Sequence, residues 1–167
     1  MSLIDSTYFL TGGVAIPNLS GVGSVPTAVA ENLNWYISTY EPKYLSLVLG
    51  ETLYNAFIAG LAENPIASRW AALRDKLING TAKTSMITGY VYFFEECARL
   101  SFNTGVGQVK PKAQNSEVVV NTYPVRVAYN LSMDEGDALR YWINDNIATY
   151  PEFTIAELKE LNHLPRL

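Results

Sequence analysis

The chain has 167 residues, a formal net charge of −4, 49% hydrophobic residues and only 17% charged residues. This length is sufficient for one domain with a substantial core, and the charged fraction lies below the roughly 25% of an average soluble domain. The 12 lysines and arginines are scattered, which argues against the basic patch of a sequence-specific nucleic-acid-binding protein. The low charge has two interpretations: a surface covered by a partner, or a neutral surface rich in serine, threonine and asparagine.

The first 25 residues differ in composition from the rest of the chain. Glycines at positions 12, 13, 21 and 23 disfavour a regular helix, and the opening Met-Ser-Leu-Ile-Asp-Ser lacks the basic and apolar regions of a signal peptide. Apolar residues lie between the glycines, whereas a solvated linker would not carry them. We therefore expect an extended arm that lies on a surface, either its own or a neighbour's.

Apolar residues at three- and four-residue spacing predict several helices in the first two thirds of the chain. The first is expected over 27–40 and ends at Glu41-Pro42, and a short second helix ends at Gly50, which suits a left-handed C-terminal position. A third helix ends at Asn64-Pro65, and a fourth spans 66–78. The longest is predicted over 83–102, and its broad apolar surface indicates a central position. Gly89 within it either permits close helix contact or costs about 1 kcal/mol.

The region after the central helix is ambiguous. Residues 103–117 form a polar loop, and residues 119–131 alternate between apolar and polar side chains, which is typical of a strand, although the same residues could begin a helix. Beyond Ser132 the pattern is helical, with Glu135 at capping-box spacing and Pro151 at the end. The predicted fold is mainly α: a bundle of about five to six helices, an extended N-terminal arm, and a long loop or β-hairpin around 103–131. The predicted organisation is an arm (1–25), a helical domain (26–153) and a tail (154–167).

Few residues have the spacing that catalysis or metal binding needs. Cys97, the only cysteine, lies in an apolar run that favours a buried structural thiol. His163, the only histidine, has no acidic or thiol neighbour at ligand spacing. Glu95 and Glu96 point to different helix faces, so we expect a solvated helix surface with a Glu95–Arg99 pair; the alternative is a buried, paired Glu96 or Arg99. We therefore predict no catalytic residue, no metal and no cofactor, and hence no enzyme.

Several short runs occur in a characteristic order along the chain. A long run extends from Tyr40-Glu-Pro-Lys-Tyr to Leu-Tyr-Asn-Ala-Phe57, followed by Trp70-Ala-Ala-Leu, Tyr90-Val-Tyr-Phe-Phe94, Thr104-Gly-Val-Gly107, Tyr141-Trp-Ile and Tyr150-Pro-Glu-Phe153. This order resembles head–tail connector (adaptor) proteins of tailed bacteriophages and prophages of Bacteroidetes. The resemblance covers roughly residues 27–153 and consists of packing and turn residues, so no catalytic residue carries over from it.

The resemblance implies a virion structural protein that forms a homo-oligomeric ring beneath the portal, usually a dodecamer. Such a ring is a genome conduit and a tail attachment platform at the head–tail junction, assembled in the host cytoplasm without a membrane. Its partners are the portal protein and tail or neck proteins, and DNA passes through without sequence-specific binding. The candidate oligomer contacts lie in the arm, the loop and the C-terminus: Val14, Ile16, Leu19, Val22, Val109, Lys110, Lys112, Leu164 and Leu167.

Two other classes of function remain open at this stage. A monomeric helical module that binds a small ligand or a peptide predicts one enclosed apolar pocket among the tyrosine-rich helices and no self-association. An enzyme that uses carboxylates such as Glu95, Glu96 or Asp134 predicts a cleft with at least one acid of strongly shifted pKa.

Overall fold

The computed structural model describes residues 2–99, 102–104, 107–109 and 123–165, with backbone only for the two short middle segments. Within them lie five α-helices: α1 (Ser24–Leu49), α2 (Glu51–Leu61), α3 (Ser68–Leu77), α4 (Met86–Arg99) and α5 (Tyr123–Asp145). Two antiparallel hairpins pair β1 (Ile78–Asn79) with β2 (Thr84–Ser85) and β3 (Phe102–Thr104) with β4 (Gly107–Val109). The mainly α class, the helix number and the small hairpin are confirmed.

The first helix is continuous, so the predicted break at Glu41-Pro42 is wrong. Pro42 lies inside α1, which has 26 residues. Proline removes one helical hydrogen bond, but Ile37, Tyr44 and Leu45 on either side of it are buried. Their packing holds the helix together, because tertiary contacts outweigh local propensity. The helix ends at Gly50 with φ 77°, so the expected glycine with positive φ is confirmed.

The predicted boundaries around the central helix also need correction. Residues 83–85 belong to the first hairpin and not to a helix, since the side chain of Asn79 accepts a hydrogen bond from the Ala82 amide in its turn at 2.9 Å. The helix that follows, α4, has 14 residues, and α1 is the longest helix of the described chain.

Residues 123–131 are helical, so the strand alternative is wrong for this part of the sequence. The alternation arises because α5 presents apolar residues on two faces. Val125 and Ala128 are buried, whereas Val127 and Leu131 are exposed. Apolar residues on both faces of a helix imitate the period of two that a half-buried strand shows.

The N-terminal arm lies on the core of its own chain. It contains 3-10 helices at Ser6–Phe9 and Gly12–Val14, so it is not extended throughout. The carboxylate of Glu41 accepts hydrogen bonds from the amides of Leu3 at 2.8 Å and Ile4 at 3.2 Å and from the Ser2 hydroxyl at 2.8 Å. A buried acid on α1 therefore fixes the start of the arm.

The core joins all five helices, the arm and the tail. The most extensive packing is between α4 and α5, and α1 packs against both. The C-terminal segment crosses the bundle. Glu157 accepts hydrogen bonds from the Thr52 amide and hydroxyl. The side chain of Asn130 donates to the Leu164 carbonyl and accepts from the Leu164 amide. The largest fully buried side chains are Tyr44, Tyr150, Phe9, Phe57, Leu33, Leu45, Leu49, Leu53, Leu73, Leu77, Ile87 and Met133.

Candidate functional site: an apolar groove along α5

An open groove of about 910 Å³ runs beside α5. One wall is α5, and the opposite side is formed by the arm, the end of α3 and the β1–β2 hairpin. We call it the α5 groove. Its main apolar lining residues are Val14, Leu77, Ile78, Met86, Val127, Ala128, Leu131, Leu139 and Trp142.

Val127 and Leu131 form an exposed apolar ridge at the edge of this groove. They lie four residues apart on α5, so they occupy one stripe of the helix, and they are 46% and 54% exposed. A smaller depression of about 420 Å³ lies against the same two residues and reaches Asn130 and Pro165. The ridge therefore stands between two concave surfaces. Its two aliphatic side chains are exposed although they cannot form hydrogen bonds with water.

The floor of the α5 groove is a close contact between two helices. A Cβ atom at Gly89 of α4 would lie 2.1 Å from the carbonyl oxygen of Ala128 and 2.5 Å from the Ser132 hydroxyl oxygen on α5. Close helix contact, the first of the two interpretations of Gly89, is therefore confirmed. The absence of a side chain here sets the distance between α4 and α5 and hence the depth of the groove.

Charged groups at the groove balance each other. Lys76 and Lys83 line it together with Asp75 and Glu135. The ammonium of Lys76 lies 5.2 Å from the ring centre of Trp142, and that of Lys83 lies 4.9 Å from the ring centre of Tyr8. Burial, assisted by the neighbouring Asp134, raises the pKa of Glu135. The groove thus has no net charge that would select a strongly charged ligand.

A second exposed apolar surface lies on the N-terminal half of α1. It consists of the apolar Val25, Ala28 and Trp35 and the polar Asn32. These residues follow each other at spacings of three and four, so they share one face, and all four are exposed. Val25 is 60% and Trp35 is 57% exposed. We call this stripe the α1 face. Glu31 is the only charged residue in the whole of residues 6–40.

The predicted oligomer-contact residues are placed very differently. Ile16 and Leu19 are buried in the chain's own core, and Val14 is half-buried at the groove. Val22 is fully exposed just before α1. Leu164 is half-buried against α5. The side chain of Val109 and the residues Lys110, Lys112 and Leu167 lie outside the described part of the chain.

Glu95 corrects the expectation of a solvated acidic surface. It is 2% exposed, and burial raises its pKa to about 7 against the opposing effect of Arg99. The expected pair with Arg99 is present, at 3.7 Å between Nε and Oε1, while Glu96 binds the same guanidinium at 2.6 Å. Among the residues that the structure describes, Oε2 of Glu95 has no hydrogen-bond partner. Glu95 lines neither of the two concave surfaces along α5, so its shifted pKa is not evidence of catalysis there.

Two further residues differ from the sequence-based interpretation. Cys97 lies near the end of α4 and is exposed, not buried. His163 does have an acidic partner, because its Nε2 lies 2.9 Å from a carboxylate oxygen of Asp134. That contact joins residues 29 positions apart, so local spacing could not reveal it. No group of three or more His, Cys, Asp or Glu side chains within the described ranges could hold a metal ion.

Comparison of the chain with protein-family models, curated proteins and solved structures finds no match. Among the helices that the structure describes, none alone has the length and hydropathy for a membrane span; α1 and α2 satisfy the test only together, and the chain bends by 120° between them.

Proposed function

We propose that the chain is a self-assembling structural protein of the head–tail connector type, whose copies form a closed ring at the portal of a tailed bacteriophage. The observation that carries the proposal is the presence of two separate exposed apolar surfaces, the ridge of Val127 and Leu131 at the α5 groove and the α1 face with Trp35. Interface centres are poor in charged residues and rich in aromatic ones. The α1 face carries Trp35 and no charged residue, and the ridge consists of two aliphatic side chains.

Two different surfaces on one chain can join its copies head to tail. When a surface of one copy contacts a different surface of the next copy, the contact repeats head to tail and closes if the rotation allows. A dodecameric ring, as the resemblance implies, would place twelve such contacts around a channel. The net charge of −4 suits a conduit through which DNA passes, because an acidic wall repels phosphates and does not retain them.

A second candidate function is a monomeric binding module, and the volume of the α5 groove favours it. Pockets for small ligands range from about 300 to 1,000 Å³ and are mostly apolar, and the groove of about 910 Å³ falls within this range. This alternative requires no self-association.

The test is the mass of the purified protein by light scattering over micromolar to millimolar concentrations, with negative-stain imaging of the same samples. The ring hypothesis predicts a defined multiple of the 18.5 kDa chain and closed particles with a central hole. A monomer at every concentration would contradict it and favour the binding module.

A further inference from the structure

We propose that the α5 groove of one copy binds the α1 face of the next copy, so that the N-terminal half of α1 is the segment that links neighbouring subunits. This inference rests on the proposed self-assembly and names the two surfaces that make the contact. It does not follow from the ring alone, because a ring could form through any other pair of surfaces.

The α1 face has the composition of a surface that is covered in the assembled protein. A solvent-exposed helix half normally carries charged residues opposite its apolar stripe, but Glu31 is its only charge. Trp35 presents an indole that is 57% exposed at the end of the stripe. Tryptophan is enriched among the residues that dominate binding energy at interfaces.

The α5 groove has the shape and chemistry to receive such a helix. An amphipathic helix binds by placing one stripe of its side chains into an apolar groove. The α1 face is such a stripe, with Val25, Ala28 and Trp35 at positions i, i+3 and i+10 and Asn32 at i+7. The four charges at the groove, on Lys76, Lys83, Asp75 and Glu135, cancel formally. A neutral groove favours an occupant of low charge, because every unpaired charge buried at an interface costs free energy.

The α1 face is also short enough to lie within the α5 groove. The exposed half of α1 from Ser24 to Trp35 has 12 residues and is about 18 Å long at 1.5 Å per residue. The stretch of α5 that lines the groove, from Tyr123 to Trp142, is about 30 Å long by the same rise. One helix half therefore fits along one groove, and each copy has one of each.

The experiment uses two full-length variants that block opposite sides of the same contact. Leu131→Asp places a charge on the groove ridge, and Trp35→Asp places one on the α1 face. Both positions are about half exposed, so we expect the isolated subunit to tolerate the two substitutions, and circular dichroism and thermal unfolding test this. Tyr141→Asp is the matched control, because Tyr141 is 75% exposed and belongs to neither surface.

We expect each blocking variant to weaken self-association about thirtyfold or more, the loss typical of a central interface residue, while Tyr141→Asp assembles like the wild type. The sharper result comes from mixing. Trp35→Asp keeps an intact groove and Leu131→Asp keeps an intact α1 face, so the mixture retains one functional contact and forms a 1:1 dimer that neither variant forms alone.

Each alternative outcome has a separate meaning. If the wild type forms rings but either blocking variant does so equally well, the inference is overturned and the proposed function stands. If both variants are monomeric and their mixture also stays monomeric, the two surfaces do not bind each other and the inference is again overturned. If the wild type never associates, the proposed function fails and the inference fails with it. Should a variant lose its fold, Val127→Asp and Val25→Asp repeat the test at neighbouring positions on the same two surfaces.

Discussion

The close contact of α4 and α5 makes Gly89→Ala the most informative single substitution for the fold. In a helix, alanine is favoured over glycine by about 1 kcal/mol, so sequence reasoning alone predicts stabilisation. The structure predicts the reverse, because the new Cβ would lie 2.1 Å from the Ala128 carbonyl oxygen. That oxygen belongs to the backbone of α5, so relief requires the two helices to separate by about 1 Å, and a packed interior resists such a shift.

The expected magnitude follows from two opposing terms. Overpacking costs up to about 3 kcal/mol, and the upper end applies because the obstacle is backbone. The higher helical propensity of alanine offsets about 1 kcal/mol of this cost, so the free energy of unfolding should fall by about 2 kcal/mol. For a chain of this size the melting temperature should fall by about 4–8 °C, measured by circular dichroism at one fixed protein concentration, since assembly makes the melting temperature depend on concentration.

Gly136→Ala on α5 is the matched control. Its Cβ would meet the ends of the Leu161 and Val48 side chains at 3.1 Å and the Tyr44 hydroxyl at 3.2 Å. Side-chain ends give way more easily than backbone, so the propensity gain of about 1 kcal/mol should offset the contact and leave stability nearly unchanged. A Gly89→Ala variant as stable as wild type, or more stable, would refute the helix spacing described above.

Three further predictions concern buried polar groups. Glu95→Gln should remove a pH dependence of the free energy of unfolding. The folded-state pKa of Glu95 is about 7 against 4.5 in the unfolded chain, so the wild type should lose about 3 kcal/mol of stability as pH rises through that window. Urea unfolding of both proteins across the window measures this difference, and an equal pH dependence in the two would show that Glu95 is solvated. Tyr44→Phe should cost about 1–2 kcal/mol in urea unfolding, because the hydroxyl donates to a buried backbone carbonyl of α5 at 2.6 Å; an unchanged midpoint would mean that water replaces it. Glu41→Gln should speed hydrogen exchange of the arm about tenfold or more by weakening the carboxylate's bonds to two arm amides, and equal rates would show that the arm is held by packing alone.

The sequence was sufficient for the helical class because most helices show one apolar stripe. It was insufficient at Pro42, where a local rule predicted a break and burial of Tyr44 and Leu45 overrode it. It was also insufficient at Glu95, because apolar residues cover most of the surface of α4. With so little polar surface on a helix, periodicity cannot tell which of two adjacent acids, Glu95 or Glu96, faces the core.

The two candidate surfaces left different traces in the sequence. The α1 face could have been noticed from residues 6–40, where Glu31 is the only charge. The ridge of Val127 and Leu131 was hidden, since apolar residues on two faces of α5 resembled strand alternation. The α5 groove itself brings together the arm, α3, a hairpin and α5, and contacts between segments so distant in sequence are not visible in local patterns.

The central claim is that copies of this chain close into a ring, and native mass spectrometry of the wild-type protein tests it most directly. The account predicts one dominant species whose mass is a fixed multiple of the chain mass of 18.5 kDa and does not change as concentration rises. A closed ring has no free surface for another copy, so growth stops at that multiple. A monomer at all concentrations, or a ladder of masses that lengthens with concentration, would contradict the claim.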